Sequence, residues 1–113
     1  MSGISTHILD LTRGRPAADI VVVLQRLEKS SWCDISTHRT DQDGRILKLL
    51  PEEVPLQNGV FRLRFETRAY FDSLEIKSFY PFIEITIQVW NVTERYHVPL
   101  LLTPYSYSTY RGS

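Results

Sequence analysis

Short stretches in which apolar and polar residues alternate recur along the whole of this sequence. In the clearest of them, residues 60–67, one set of alternate positions is apolar and the other is charged: Phe61, Leu63 and Phe65 against Arg62, Arg64 and Glu66. A period of two places successive side chains on opposite faces of a β-strand, so this stretch predicts a strand with one buried face. A chain built from such pieces must stack its sheets to cover the apolar faces.

Comparable runs predict seven to eight strands in all, at residues 4–11, 20–27, 32–40, 46–50, 60–67, 82–90, 96–102 and 105–110. The run at 82–90 directs its branched residues inward, namely Ile83, Ile85, Ile87 and Val89. Between the runs lie turn signals, and the Asp43-Gly44 pair is a typical hairpin signal. Residues 68–74 change to helical spacing, which predicts one short helix capped by Thr67. The pattern indicates an all-β fold, an antiparallel sandwich carrying one helix.

The length of 113 residues predicts a single domain over residues 1–113, and an apolar fraction of 42% is enough for its core. Thirteen basic residues balance thirteen acidic ones. The chain therefore has no basic footprint for nucleic acid and no polybasic patch for a membrane, and we expect neither partner. The lone Cys33 rules out an internal disulfide.

We expect a soluble, cytoplasmic protein. Residues 1–20 are interrupted by charges and contain no apolar segment of a signal peptide, and the apolar run at 20–24 is too short to span a bilayer. The final Arg-Gly-Ser is not the Ser-Lys-Leu peroxisomal address, although a peroxisomal location stays open.

The chain closes on Tyr110, Arg111, Gly112 and Ser113, which we call the tail. Chain ends usually fray and tolerate change. A tail that combines an aromatic ring, a guanidinium and hydroxyls therefore suggests part of a site, although the default interpretation of Arg111 is a solvated residue.

His97 is the best placed of the three histidines. Alternation assigns Tyr96, Val98, Leu100 and Leu102 to the core face of their strand, so His97 faces away from the core. A lone surface histidine is more often inert than catalytic. The alternation around His7 is ambiguous, and His38 lies in a polar run that suggests no role. Arg45 follows the Asp43-Gly44 turn, and its side chain should emerge at a hairpin end.

The sequence contains no nucleophile motif of the Gly-x-Ser-x-Gly type. His7, His38 and His97 lack the spacing of metal ligands, so we predict no metal and no cofactor. Any chemistry must use histidine, arginine, tyrosine, serine and water.

Five segments together resemble the 5-hydroxyisourate hydrolase family, the transthyretin-related enzymes of urate breakdown. They are Ser-Thr-His-Ile-Leu-Asp at 5–10, Gly-Arg-Pro-Ala at 14–17, Thr-Asp-Gln-Asp-Gly-Arg at 40–45, Tyr-His-Val-Pro-Leu-Leu-Leu at 96–102 and Tyr-Ser-Thr-Tyr-Arg-Gly-Ser at 107–113. The match runs nearly end to end, in the right order and spacing. The resemblance implies a transthyretin-like sandwich assembled as a homotetramer, a dimer of dimers, with sites at the dimer–dimer interface.

The family's reaction is the hydrolysis of 5-hydroxyisourate to 2-oxo-4-hydroxy-4-carboxy-5-ureidoimidazoline in purine catabolism. The resemblance implies that His97 orients or activates water with help from His7, and that Arg45 binds substrate and stabilises the oxyanion. Ser113 and its terminal carboxylate would orient a histidine or the water. The implied substrate-binding residues are His7, Arg45, Tyr110, Arg111 and Gly112. Arg95 stands where the family often has a second histidine.

Residues 100–109 also resemble transthyretin, a secreted hormone carrier, so a small-molecule carrier is the rival interpretation. A carrier does not need His7, Arg45 and His97 together, and it does not end in Tyr-Arg-Gly-Ser. A third class, a sandwich interaction module without a pocket, would leave the tail unexplained.

Overall fold

The computed structural model describes residues 3–113, in which two β-sheets pack around one apolar core. The strands are β1 (Gly3–Asp10), β2 (Arg15–Pro16), β3 (Val21–Glu28), β4 (Ser31–Arg39), β5 (Arg45–Ile46), β6 (Gly59–Phe65), β7 (Ile83–Val89), β8 (Arg95–Leu102) and β9 (Tyr107–Thr109), and the helix α1 is Thr67–Ser73. Within this described part of the chain, no helix is long and apolar enough to cross a membrane.

The first sheet has the strand order β2-β1-β8-β9, and β5 also pairs with β1. The second sheet has the order β4-β3-β6-β7. The strand pairs are antiparallel, as predicted, with one exception: β1 and β8 run parallel. This pairing sets a strand from the start of the chain beside a strand from its end, which matters for the site.

Alternate residues of both sheets fill the core, as the sequence pattern predicts. Aliphatic residues without measurable exposure include one from each of β1, β3, β6 and β8, namely Ile8, Leu24, Leu63 and Leu100. Burying one such side chain contributes about 1.5 to 3 kcal/mol. On β7, Ile83 and Val89 are buried while Ile85 and Ile87 are half-buried against the core, which agrees with their predicted inward direction.

The helix forms where expected, but the prediction that Thr67 caps it is wrong. Glu66 occupies the N-cap position without a side-chain capping bond, and Thr67 is the first helical residue, with its side chain in the core. The helix is tied to the first sheet instead. The Tyr70 hydroxyl donates to Oδ2 of the buried Asp10 at 2.7 Å, and that carboxylate also accepts the Arg13 amide at 3.0 Å.

The Asp43-Gly44 turn forms, but it does not close a hairpin, because β4 and β5 belong to different sheets. Oδ1 of Asp41 accepts the backbone amides of Asp43 at 2.9 Å and Arg45 at 3.0 Å. Gly44 adopts the left-handed φ of +72°, and its carbonyl accepts the amide of Ile8 at 2.8 Å. The turn thus carries the chain across to the first sheet and places Arg45 against β1.

Candidate functional site

His7, Arg45 and His97 lie close together on the outer face of the first sheet. Arg45 on β5 pairs directly with His7 on β1, and His97 lies on the adjacent strand β8. Ile4 and Ile8 take the core face of β1, so His7 lies on the opposite, outward face. The structure therefore resolves the alternation that the sequence leaves ambiguous.

Ser5 contacts the imidazole of His97 directly. The two residues stand opposite each other in the β1–β8 register, and the Ser5 Oγ lies 2.8 Å from Nδ1 of His97. Ser5 is itself 1% exposed. A hydrogen bond at one ring nitrogen fixes the orientation of a histidine and leaves the other nitrogen, Nε2, for chemistry.

Sequence reasoning missed Ser5 as a site residue, although a signal was present. In the Ser-Thr-His run a period of two places Ser5 on the same face as His7. The signal becomes usable only when β8 is known to be the neighbour of β1.

The tail follows β9 and stays paired with β8 as far as Gly112. The Thr109 hydroxyl donates to the carbonyl of Pro99 at 2.7 Å, and the amide of Gly112 donates to the carbonyl of His97 at 2.8 Å. These two hydrogen bonds to carbonyls of β8 order a segment that would otherwise be loose. Ser113 follows Gly112 and is exposed.

Gly112 packs against the Cδ2 edge of the His97 ring. A Cβ atom at position 112 would lie 2.5 Å from Cδ2 and 3.2 Å from Cγ of His97, so a side chain there would displace the ring. The imidazole is therefore held between Ser5 on its Nδ1 side and Gly112 on its Cδ2 side.

Tyr110 and Arg111 lie on opposite sides of the sheet. The pairing of β8 with β9 extends to the bridge between His97 and Gly112, so alternation places Tyr110 on the His97 face and Arg111 on the other. The Arg111 guanidinium lies 4.5 Å from the ring centre of Tyr96. The structure brings Tyr110 and Gly112 to the histidines and does not bring Arg111 there.

Electrostatics favour the neutral form of His97. Partial burial lowers its pKa from the usual 6.5, and the nearby charges of His7, Arg45 and Arg95 lower it further. Arg95 lies two residues before His97 on the same face of β8. A neutral imidazole at pH 7 can accept a proton, and the surrounding cations suit negative charge that develops on a bound molecule.

The third histidine lies away from this face. His38 is exposed on β4 in the second sheet. Across residues 3–113, no group of three or more His, Cys, Asp and Glu residues could hold a metal ion.

A cleft of about 410 Å³ adjoins the tail at the open edge of the sandwich, and its lining includes Ile85, Ile87, Trp90, Tyr96, His97 and Tyr110.

The strand order of the two sheets and the short helix between β6 and β7 define a transthyretin-like β-sandwich. The solved structure of sea bream transthyretin in complex with thyroxine matches it with a TM-score of 0.89 and 29% sequence identity, over 96% of this chain and 93% of that one. This chain belongs to the HIUase/Transthyretin family, whose profile matches residues 4–112.

The relatives include proteins with a named activity. A 5-hydroxyisourate hydrolase of Salmonella typhimurium is 44% identical over 110 residues, which is 97% of this chain and 80% of the relative. The solved structure of Klebsiella pneumoniae 5-hydroxyisourate hydrolase matches with a TM-score of 0.84 and 34% identity, over 100% of this chain and 94% of that chain. The family and the fold predicted from the sequence are both confirmed.

Proposed function

We propose that this chain hydrolyses 5-hydroxyisourate and opens its six-membered ring to give 2-oxo-4-hydroxy-4-carboxy-5-ureidoimidazoline. The observation that carries the proposal is the His97 imidazole, neutral and held between Ser5 and Gly112, beside His7 and Arg45 on one sheet face. The names of the relatives in Salmonella and Klebsiella support the same reaction.

In the proposed mechanism His97 acts as the general base. When Nδ1 donates its proton to the Ser5 hydroxyl, the lone pair of Nε2 takes a proton from water as the water oxygen attacks the ring carbonyl. The same proton then passes to the ring nitrogen as the carbon–nitrogen bond breaks. The product carries a new carboxyl group, and the imidazole returns to its neutral form.

Arg45 and His7 stabilise the negative charge that forms on the carbonyl oxygen during this attack. The planar guanidinium of Arg45 offers a fork of donors that a lysine lacks, and His7 is its direct strand partner. Tyr110 and Gly112 lie on the same face and would hold the substrate, with Ser113 next to them to orient the water or a histidine.

We further propose a single hydrolase domain that assembles as a homotetramer, with sites at the dimer–dimer interface, in the cytoplasm. In support, the face that carries the site is open in one chain: Tyr110 is 58% exposed and Arg45 is exposed as well. A second copy packed on this face would cover the substrate and exclude bulk water, which strengthens the electrostatic interactions there.

A transthyretin-like carrier of small molecules is the second candidate, because the solved transthyretins match this fold with TM-scores of 0.89 and 0.91. A carrier that only binds its ligand does not require a neutral His97 held between Ser5 and Gly112 and surrounded by cations. The hydrolase accounts for that arrangement.

The decisive test generates 5-hydroxyisourate from urate with urate oxidase, adds this protein, and follows the decay of the compound by ultraviolet absorbance. We expect decay well above the spontaneous rate, in proportion to protein concentration. Decay at the spontaneous rate would refute the hydrolase and leave the carrier, whose ligand would then be sought by equilibrium binding.

The pH dependence of the reaction gives an independent prediction. Because the pKa of His97 lies below 6.5, kcat/KM should fall only when the pH drops below that value and the base becomes protonated. Arg95→Gln removes one of the nearby cations, so the pKa should rise and the acid limb should move to higher pH. The measurements are the pH–rate profile and the NMR titration of the His97 ring protons.

Arg68→Gln is the matched control for this prediction, since Arg68 lies on α1 and pairs with Asp72. It should leave the acid limb where it is. An unchanged limb and an unchanged titration in Arg95→Gln would show that Arg95 does not act on His97.

A further inference from the structure

We infer that Arg111 is a positioning residue whose partner is Glu94, and that this pair locks the tail onto the turn before β8 so that Gly112 meets His97. The inference rests on the proposed function for its catalytic consequence. It gives Arg111 a role other than contact with the substrate, and it assigns a role to Glu94, which no sequence motif singles out.

Three contacts converge on the Arg111 side chain. Its Nη2 lies 2.8 Å from Oε1 of Glu94 and also donates to the backbone carbonyl of Arg95 at 3.3 Å. Its guanidinium stacks over the ring of Tyr96 at 4.5 Å from the ring centre. An exposed ion pair alone contributes little, but a guanidinium that is also stacked and bonded to backbone has a defined position.

The residues that Arg111 contacts, Tyr96 and Glu94, are themselves held in place by hydrogen bonds. The Tyr96 hydroxyl accepts the backbone amides of Trp90 at 3.2 Å and Asn91 at 3.0 Å, and it donates to the carbonyl of Asn91 at 3.1 Å. The second carboxylate oxygen of Glu94 accepts the side-chain amide of Asn91 at 3.3 Å. The turn between β7 and β8 is therefore a fixed platform for Arg111.

With Arg111 held on this platform, the next residue of the tail, Gly112, is placed beside His97. Gly112 follows Arg111 directly, donates its amide to the carbonyl of His97 at 2.8 Å, and borders the ring at Cδ2. Because Arg111 is held on the opposite side of the sheet from His7 and Arg45, its guanidinium acts on the reaction through Gly112.

The test compares Glu94→Gln, Arg111→Gln and the double variant with the parent protein. Each single variant should lower kcat about threefold to tenfold with little change in KM, since a catalytic group is misplaced while the substrate contacts stay. Amide hydrogen exchange of Gly112 should become faster in both. The double variant should be no less active than the less active of the two single variants, because each change breaks the same Glu94–Arg111 pair.

Asp72→Asn is the matched control, an exposed acid paired with Arg68, and it should change neither kcat nor Gly112 exchange. A raised KM in Arg111→Gln together with normal kinetics and normal Gly112 exchange in Glu94→Gln would overturn the inference and make Arg111 a substrate ligand. Gly112 exchange is measured without substrate, so it tests the pair even if the parent protein fails to hydrolyse 5-hydroxyisourate. Unchanged exchange in both single variants would overturn the inference in that case.

Discussion

Removal of residues 110–113 should abolish hydrolysis of 5-hydroxyisourate while the sandwich stays folded. The deletion takes away Gly112, which borders the His97 ring, and Tyr110, which lies on the same face. We expect a loss of at least about 10²-fold in kcat/KM, since the His97 imidazole, the proposed base, then loses one of the two contacts that hold its ring. None of the four residues belongs to the buried core, so the thermal midpoint should fall by no more than about 5 °C.

The measurements are the ultraviolet decay assay, a thermal melt and the far-ultraviolet circular dichroism spectrum. Gly112→Ala provides a full-length companion, because its Cβ would lie 2.5 Å from Cδ2 of His97 and must push the ring aside. It should lose activity in the same direction with the tail still present. A truncated protein that turns over substrate at the parent rate would show that the tail is only a structural edge.

His97→Asn should lower kcat by about 10² to 10⁴-fold, the range in which a general base contributes. Asparagine keeps a polar side chain near Ser5 but cannot accept a proton from water. KM should change little, because the proposed substrate contacts of Arg45, Tyr110 and Gly112 are unchanged. Steady-state kinetics at saturating substrate separates the two parameters.

Arg45→Lys changes the residue proposed to stabilise the oxyanion. It should lower activity about tenfold or more, because a single ammonium replaces a planar guanidinium. His38→Asn is the matched control and should leave the rate unchanged, since His38 is exposed in the second sheet. Near-normal rates in a folded His97→Asn protein would remove His97 from the proton transfer, and His7 would become the base to test next.

The parts of the fold that depend on local pattern were predictable from the sequence. Alternation located eight of the nine strands of the described residues within a few positions and placed Tyr96, Val98 and Leu100 in the core. It missed the two-residue β2, and the run predicted at 46–50 extends past β5, which ends at Ile46. The partner of each strand was not predictable, because pairing is decided by contacts far apart in the chain. The parallel β1–β8 pair and the crossing from β4 to β5 are both of this kind, and the Asp-Gly signal describes only its own turn.

The same limit applies to the site. His97 could be assigned to the outer face because its neighbours alternate cleanly, whereas His7 could not until Ile4 and Ile8 were found in the core. Ser5 requires knowledge that β8 lies beside β1. The roles of the individual residues, including that of Ser113, stay predictions for the experiments above.

The parallel pairing of β1 with β8 also determines when a newly made chain can complete its first sheet. Until β8 and the tail have emerged from the ribosome, β1 has no neighbour on that side and its backbone presents an open edge that other chains can join. A chain that lacks β8 therefore leaves this edge of β1 open to association. Closing a contact across nearly the whole chain is also slow.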